Sequence, residues 1–187
     1  MNEFTIEWLW SLILLIIPAY FANMLPPVFN PTGKGKASTA HPIDGGANFF
    51  DGRRIFGDGK SQEGFIGGLL GGTLVGALMG LLGFIPLGFS FDEWFLVSFA
   101  LSLGTLVGDL VGSFIKRRLD LKRGEKFEYF DQLGFVVFSM AFASLIAPQI
   151  GYSIGFWGYV TLLFLSYFTH ITANYIGFWI GVKSVPW

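Results

Sequence analysis

The sequence predicts an all-α integral membrane protein with five transmembrane helices. Three observations carry that reading. Of 187 residues, 52% are hydrophobic and only 13% charged, where a soluble domain averages about 25% charged. Apolar stretches of roughly membrane-crossing length recur along the chain. The cations are gathered between those stretches rather than spread over them. Mean hydropathy is +0.58, too apolar for a soluble domain of this size to bury, and disordered, fibrous and small secreted folds are excluded on the same ground.

The spans are expected at about 8–29, 65–85, 94–115, 131–149 and 156–182, within a single transmembrane domain over 1–187. Most reach the ~20 residues a helix needs to cross ~30 Å of hydrocarbon. The fourth is the shortest and borrows polar residues at its start. The first is not read as a signal peptide, since Glu3 and Glu7 stand where a basic segment would be. No ten-residue alternation points to a β-barrel. Trp8, Trp94 and Trp157 fall near span ends, where interfacial aromatic residues belong. In span two Gly68, Gly72, Gly76 and Gly80 share one face, as do Gly104, Gly108 and Gly112 in span three. Such faces let helix backbones approach closely, within the bundle or in a homodimer.

Lys34, Lys36, Arg53, Arg54 and Lys60 lie between spans one and two, in a loop over about 30–64. Lys116, Arg117, Arg118, Lys122, Arg123 and Lys126 lie between spans three and four, in a loop over about 116–130, and Lys183 lies near the C-terminus. The positive-inside rule then puts the N-terminus outside, the C-terminus and both long loops in the cytoplasm, and the protein in the cell membrane as a multi-pass chain.

The first loop mixes Gly, Asp, Asn, Lys and Arg: His41-Pro-Ile-Asp44, Asn48, Asp51-Gly-Arg-Arg54 and Gly57-Asp-Gly-Lys60. Glycines let backbone N–H groups turn inward as anion-binding nests, and Arg and Lys add charge-assisted bonds to phosphate oxygens. The expected ligand is a polyphosphate held at the inner membrane face. Gly57-Asp-Gly-Lys-Ser61 is a near miss to a Walker A loop, because Arg54 stands where its first glycine is required.

Asp109 lies inside span three, where a carboxylate costs about 2.5–3.5 kcal/mol at a helix centre and less near the end. Asp109, Ser113 and Lys116 follow at helical spacing on one face, leading to Arg117. Asp131 opens span four, either as a helix N-cap or as a second ligand. Two carboxylates beside a basic loop suit Mg²⁺ that keeps its waters and binds phosphate oxygens. The absence of Cys and the presence of only His41 and His170 argue against cysteine nucleophiles, Ser–His–Asp triads and zinc. The inventory favours displacement at phosphorus, where positioning and charge neutralisation carry the catalysis. A phosphomonoester nucleophile needs no strong base.

Taken together, Pro18-Ala-Tyr-Phe-Ala-Asn23, His41-Pro-Ile-Asp44, Asn48-Phe-Phe-Asp-Gly-Arg-Arg54, Gly57-Asp-Gly-Lys60 and Gly108-Asp109…Ser113-Phe-Ile-Lys-Arg-Arg118…Asp131-Gln-Leu133 resemble the archaeal CDP-archaeol synthases over essentially the whole chain. That family is related to the bacterial phosphatidate cytidylyltransferases, whose signature contains Ser-x-x-Lys-Arg and then Asp-Arg-x-Asp. Ser113, Lys116 and Arg117 match the first part, and Asp131 alone remains of the second. The resemblance implies Mg²⁺-dependent transfer of CMP from CTP to an isoprenoid diether lipid phosphate, unsaturated archaetidic acid, with release of pyrophosphate. Its partners are then CTP, that lipid and membrane lipids, with no nucleic acid. Mapped onto this chain, Asp109 and Asp131 hold the metal and Lys116 takes part in the reaction. Arg53, Arg54, Lys60 and Arg117 neutralise the phosphates, with Ser113 beside them. Asn23, Asp44, Asn48, Asp51 and Asp58 order the loop or read the base.

Two rivals make different demands. CDP-alcohol phosphotransferases carry Asp-Gly-x-x-Ala-Arg and closely spaced aspartates, which Asp51-Gly-Arg-Arg-Ile-Phe lacks. A small transporter or channel would put Asp109 on an ion path below Ser98, Ser102 and Thr105, although no internal repeat supports one.

Overall fold

A computed structural model describes residues 5–29, 40–121, 127 and 130–180. Lys34, Lys36, Lys122, Arg123, Lys126 and Lys183 lie outside the described residues, and so does the side chain of Asp131. The chain is all-helical over these segments. Four helices have the length and apolarity to cross a membrane, and a fifth, shorter apolar helix packs among them.

The first helix, α1, runs Ile6–Met24, with Thr5 Oγ1 accepting the backbone N–H of Trp8 at 3.2 Å. Span one was expected to continue to 29, but it breaks at Leu25. Pro26 and Pro27 have no N–H to continue the ladder, and they start a single turn, α2, at Pro26–Phe29. Helix α3, Gln62–Leu81, is capped by Ser61, whose hydroxyl accepts from Gly64 N at 3.1 Å. A 3-10 turn at Pro86–Gly88 leads to α4, Phe91–Arg118. A reciprocal cap between Ser90 and Glu93 opens α4, and Lys116, Arg117 and Arg118 close it, complementing the negative end of the helix dipole. Helix α5 covers Phe130–Ile146, so Asp131 sits in its first turn rather than at its cap.

Helix α6 runs Gln149–Trp179. The stretch 150–155, expected as an outer loop, is mostly helical. Gly155 breaks it at φ 61° and ψ −177°, a conformation that favours glycine, and the long membrane segment resumes at Phe156. Ala147 and Pro148 leave almost no connection between α5 and α6.

Helix α4 is the hub. Trp94, Val97 and Leu101 are buried against Trp8, Leu12 and Leu15 of α1 and Phe135, Val136 and Met140 of α5. The glycine faces make this approach possible. A Cβ at Gly72 would lie 2.6 Å from the carbonyl oxygen of Pro18, and one at Gly68 would lie 2.8 Å from that of Ala22. At Gly108 it would meet the carbonyl oxygen of Gly134 at 2.9 Å. Both faces are therefore used inside the bundle, α3 against α1 and α4, and α4 against α5. The buried Trp94 Nε1 donates to Gly76 O at 2.8 Å, so the close contact is also hydrogen-bonded. Leu70, Leu74, Leu78, Phe164 and Phe168 point outward, an apolar belt that lipid rather than water solvates.

Candidate functional site

The loop between α2 and α3 is ordered from residue 40 onward by its own backbone. Ile43 N donates to Lys60 O and Gln62 N to His41 O, each at 2.8 Å, closing the neck above α3. Isolated antiparallel bridges pair Pro42 with Ser61 and Asn48 with Arg54. At the tip, Phe49 N donates to Arg53 O at 2.7 Å, and Gly52, at φ 77°, takes the turn that a side chain would disfavour.

Asp44 organises the far half of this loop. Its side chain is 0% exposed and pairs with Arg54 Nη2 at 2.7 Å. It also accepts the N–H groups of Phe56 at 2.9 Å, Gly57 at 3.0 Å and Gly46 at 3.1 Å. Burial alone would raise the carboxyl pKa, but the Arg54 guanidinium and the three N–H groups outweigh it and hold Asp44 well below the usual carboxylate range. In return, the bond to Asp44 raises the Arg54 pKa, and Arg54 Nη1 donates to Asp58 at 2.5 Å.

A second set of contacts fastens the loop to the end of α4. Arg53 Nη1 donates to Arg118 O at 2.7 Å and Arg53 Nη2 to Asp120 at 2.5 Å. Arg118 Nη2 donates back to Arg54 O at 2.6 Å, and its Nε lies 3.1 Å from Asp51 Oδ2. The Arg118 guanidinium also lies against the rings of Phe49 and Phe114, at 5.0 and 4.7 Å from their centroids. Arg53 thus holds the backbone of Arg118, and Arg118 that of Arg54, across the junction. Arg118 has no assigned role in the sequence reading. A third cation at a helix end is an ordinary dipole partner, and only its meeting with Phe49, far away in sequence, distinguishes it.

The clasp brings Lys60 over α4, where its ammonium donates to Asp109 Oδ2. Three cavities meet at Lys60, and Asp109 lines two of them. One of about 510 Å³ is lined by Arg53, Arg54, Lys60, Lys116 and Arg117, with Gly57–Gly59, Asp58 and Ser113. A second of about 230 Å³ runs toward α1–α3, between Asn23, Pro26, Ser61, Gly64, Phe65 and Leu106. A third, about 60 Å³, joins Asn23, Asp109, Ser113 and Lys116 to Phe130 and Phe135 at the start of α5. The large cavity is strongly cationic, and the Nε atoms of Arg54 and Arg117 are buried there without a hydrogen-bond partner. A buried N–H without a partner costs about 1–3 kcal/mol, a cost that an acceptor in the cavity relieves once the side chain turns its Nε toward it.

The expected residues therefore divide. Asn23, Arg53, Arg54, Asp58, Lys60, Asp109, Ser113, Lys116 and Arg117 line the joined cavities. Asp44, Asn48 and Asp51 line none of these three and belong to the scaffold of the loop. Backbone of Asp131 is in the first turn of α5, as are Phe130 and the start of the small cavity's wall. Among the described residues no three acidic or histidine side chains cluster as a ready metal cage. Asp109 offers one hard carboxylate beside the open cavity, which suits an ion that retains its waters. The hydroxyls of Ser98 and Ser102 donate to Trp94 O and Ser98 O of their own helix, each at 2.8 Å, and face Gly76 and Gly72. They pack two helices together and do not line a path through the bilayer.

A family model described as CarS-like, CDP-archaeol synthase, matches residues 5–187. A CDP-archaeol synthase of Thermococcus onnurineus is 46% identical over 178 residues, spanning 92% of this chain and 93% of that protein. One from Methanococcus aeolicus is 42% identical over 180 residues, spanning 93% and 94% respectively. A solved structure of an intramembrane enzyme for archaeal membrane lipids biosynthesis superposes with a TM-score of 0.71 at 33% identity, covering 87% of this chain and 91% of the other.

Proposed function

The chain belongs to the CDP-archaeol synthase family, and from that premise we propose how its residues carry out the reaction. It is a membrane-embedded cytidylyltransferase that forms CDP-archaeol from CTP and a lipid phosphate. The proposed acceptor is 2,3-bis-O-(geranylgeranyl)-sn-glycerol 1-phosphate. The observation that carries the reading is the meeting of a cationic cavity and a helix-lined cavity at Lys60 and Asp109.

The triphosphate lies in the large cavity. Arg117 and Lys116 approach it from α4, and the Gly57–Lys60 turn from the loop. The buried Nε of Arg117 is a donor in search of an acceptor, and a phosphate oxygen satisfies it. The lipid phosphate enters the smaller cavity, where Asn23 and Ser61 supply polar contacts and Pro26, Phe65 and Leu106 line the apolar wall. A phosphate oxygen of the lipid attacks the α-phosphorus in line. The bond from the α-phosphorus to the α–β bridging oxygen breaks, and its electron pair leaves with pyrophosphate. Lys60 stands at the junction, where it is in reach of both phosphates and neutralises charge as it moves from nucleophile to leaving group.

Mg²⁺ is the proposed cofactor, held by Asp109 and Asp131, and when bound it supplies further charge neutralisation on phosphate oxygens. In the metal-free arrangement Lys60 supplies the positive charge beside Asp109. The proposed topology keeps the loop at 40–61 and the end of α4 in the cytoplasm, where CTP is, with the N-terminus outside.

Purified protein incubated with α-labelled CTP, Mg²⁺ and diether lipid phosphate tests this directly. Label enters the lipid, one pyrophosphate is released per label transferred, and chelation of divalent metal stops both. Release of labelled CMP, or of label without pyrophosphate, contradicts the assignment.

A further inference from the structure

Phe50 is a large apolar side chain at 99% exposure. It lies at the tip of the polar loop, beside Phe49, and lines none of the three cavities that meet at Lys60. Nothing in the proposed reaction uses it. Its height above the helical bundle is nevertheless fixed by a chain of ring contacts.

Helix α4 begins with the polar residues Ser90, Asp92 and Glu93, and its apolar run starts at Trp94. At 1.5 Å per residue, the ~20 residues that cross ~30 Å of hydrocarbon bring α4 to the inner boundary at Phe114. The ring of Phe49 stands edge-on to that of Phe114, with centroids 5.1 Å apart, and the ring of Phe50 is 5.0 Å from that of Phe49. The interfacial layer beyond the hydrocarbon is about 5–7 Å deep on each side. The two ring-to-ring steps keep Phe50 within about 10 Å of that boundary, a reach that includes the headgroup layer where aromatic side chains partition, and its ring is almost fully exposed. The Arg53–Arg118 clasp and the Arg118 stacking hold the tip at this height rather than leaving it free in water.

We propose that Phe50 is an interfacial foot: it enters the headgroup layer of the inner leaflet and ties the catalytic loop to the membrane surface from which the lipid phosphate arrives. The occupant of this surface is the bilayer itself. The inference rests on the transmembrane placement of α4 proposed above, and the following experiment separates the two.

The chain has no cysteine, so a single Phe50→Cys substitution carries an environment-sensitive fluorophore without competing sites. Asp58→Cys, at the exposed rim of the large polar cavity, and Leu74→Cys, on the outward face of α3, serve as references. The three labelled proteins are reconstituted in anionic lipid nanodiscs with a nitroxide near the headgroup end of the acyl chain. The Phe50 label should emit to the blue of the Asp58 label, be quenched by the lipid nitroxide at least twofold more, and resist aqueous iodide. A Phe50 label that matches Asp58, with Leu74 quenched, overturns the foot and leaves the membrane reading intact. A Phe50 label that ignores the lipid quencher but responds to CTP also overturns it, and assigns the ring to the nucleotide. Absence of quenching at Leu74 defeats the membrane placement and the foot together.

Discussion

The cations gathered where the loop meets the end of α4 sit a few ångströms apart and do different work. On the loop side, Arg54 is held by Asp44 and Asp58, and Arg53 is committed to Arg118 O and Asp120. Their charge is largely met by the protein, and the bonds they make fix the shape of the loop. At the cavity, Arg117 of α4 has its Nε buried without a hydrogen-bond partner, and Lys60 of the loop stands above Asp109. Each element supplies both kinds: Arg53 and Arg54 of the loop and Arg118 of α4 form the latch, and Lys60 of the loop and Arg117 of α4 border the cavity. Arg54 meets two carboxylates, Asp44 and Asp58, and Lys60 meets Asp109, whereas Arg117 Nε has no hydrogen-bond partner.

That division can be broken at its strongest point first. Replacing Asp109 with Asn removes the carboxylate at the junction with little change in volume. CMP transfer at saturating substrates should fall by roughly 10²–10³-fold, as for loss of one preorganised charge-stabilising group, measured as pyrophosphate release. Arg117→Ala should come next, at roughly 10²-fold in kcat/KM. Arg117→Lys should recover only part of that, because a point charge does not reproduce the guanidinium fork.

Asp44→Ala attacks the latch instead. It leaves three loop N–H groups and Arg54 without their acceptor, and should loosen the loop by about 1–3 kcal/mol. Amide exchange over residues 40–61 should accelerate, and the KM for CTP should rise several-fold while kcat stays close to wild type. The smallest expected effect concerns pH. The Asp44 pKa is depressed in the folded loop, so its stabilising contribution is complete above the unfolded value of about 4. It is lost only as pH falls further toward the folded pKa. Amide exchange in the loop, corrected for intrinsic rates, should be flat from pH 9 to pH 5 and accelerate only in stronger acid.

Much of the bundle was legible because hydrocarbon imposes a simple length rule. Long uncharged stretches became α1, α3, α4 and α6, and glycines at four-residue spacing became the contact faces that spacing implies. The expected break near 155 was real, but its cause is one glycine inside a helix rather than a loop, and hydropathy does not distinguish the two. The break at Leu25 was signalled by Pro26-Pro27, although hydropathy runs through it. For the site, the i, i+4, i+7 spacing of Asp109, Ser113 and Lys116 did place all three on one wall. The partition among Asp44, Arg53, Arg54 and Arg117 was not legible. It depends on pairings such as Arg118 with Phe49 and Lys60 with Asp109, which local periodicity does not encode.

In the proposed reaction Asp109 works at the reacting phosphates, whereas Asp44 only shapes the loop above them. Label transfer from α-labelled CTP to the lipid phosphate, followed in one turnover with Asp109→Asn and Asp44→Ala side by side over a CTP titration, tests it most directly. Asp44→Ala should approach the wild-type rate at saturating CTP, and Asp109→Asn should remain slow at every concentration. An Asp109→Asn protein that transfers CMP at the wild-type rate would contradict the account.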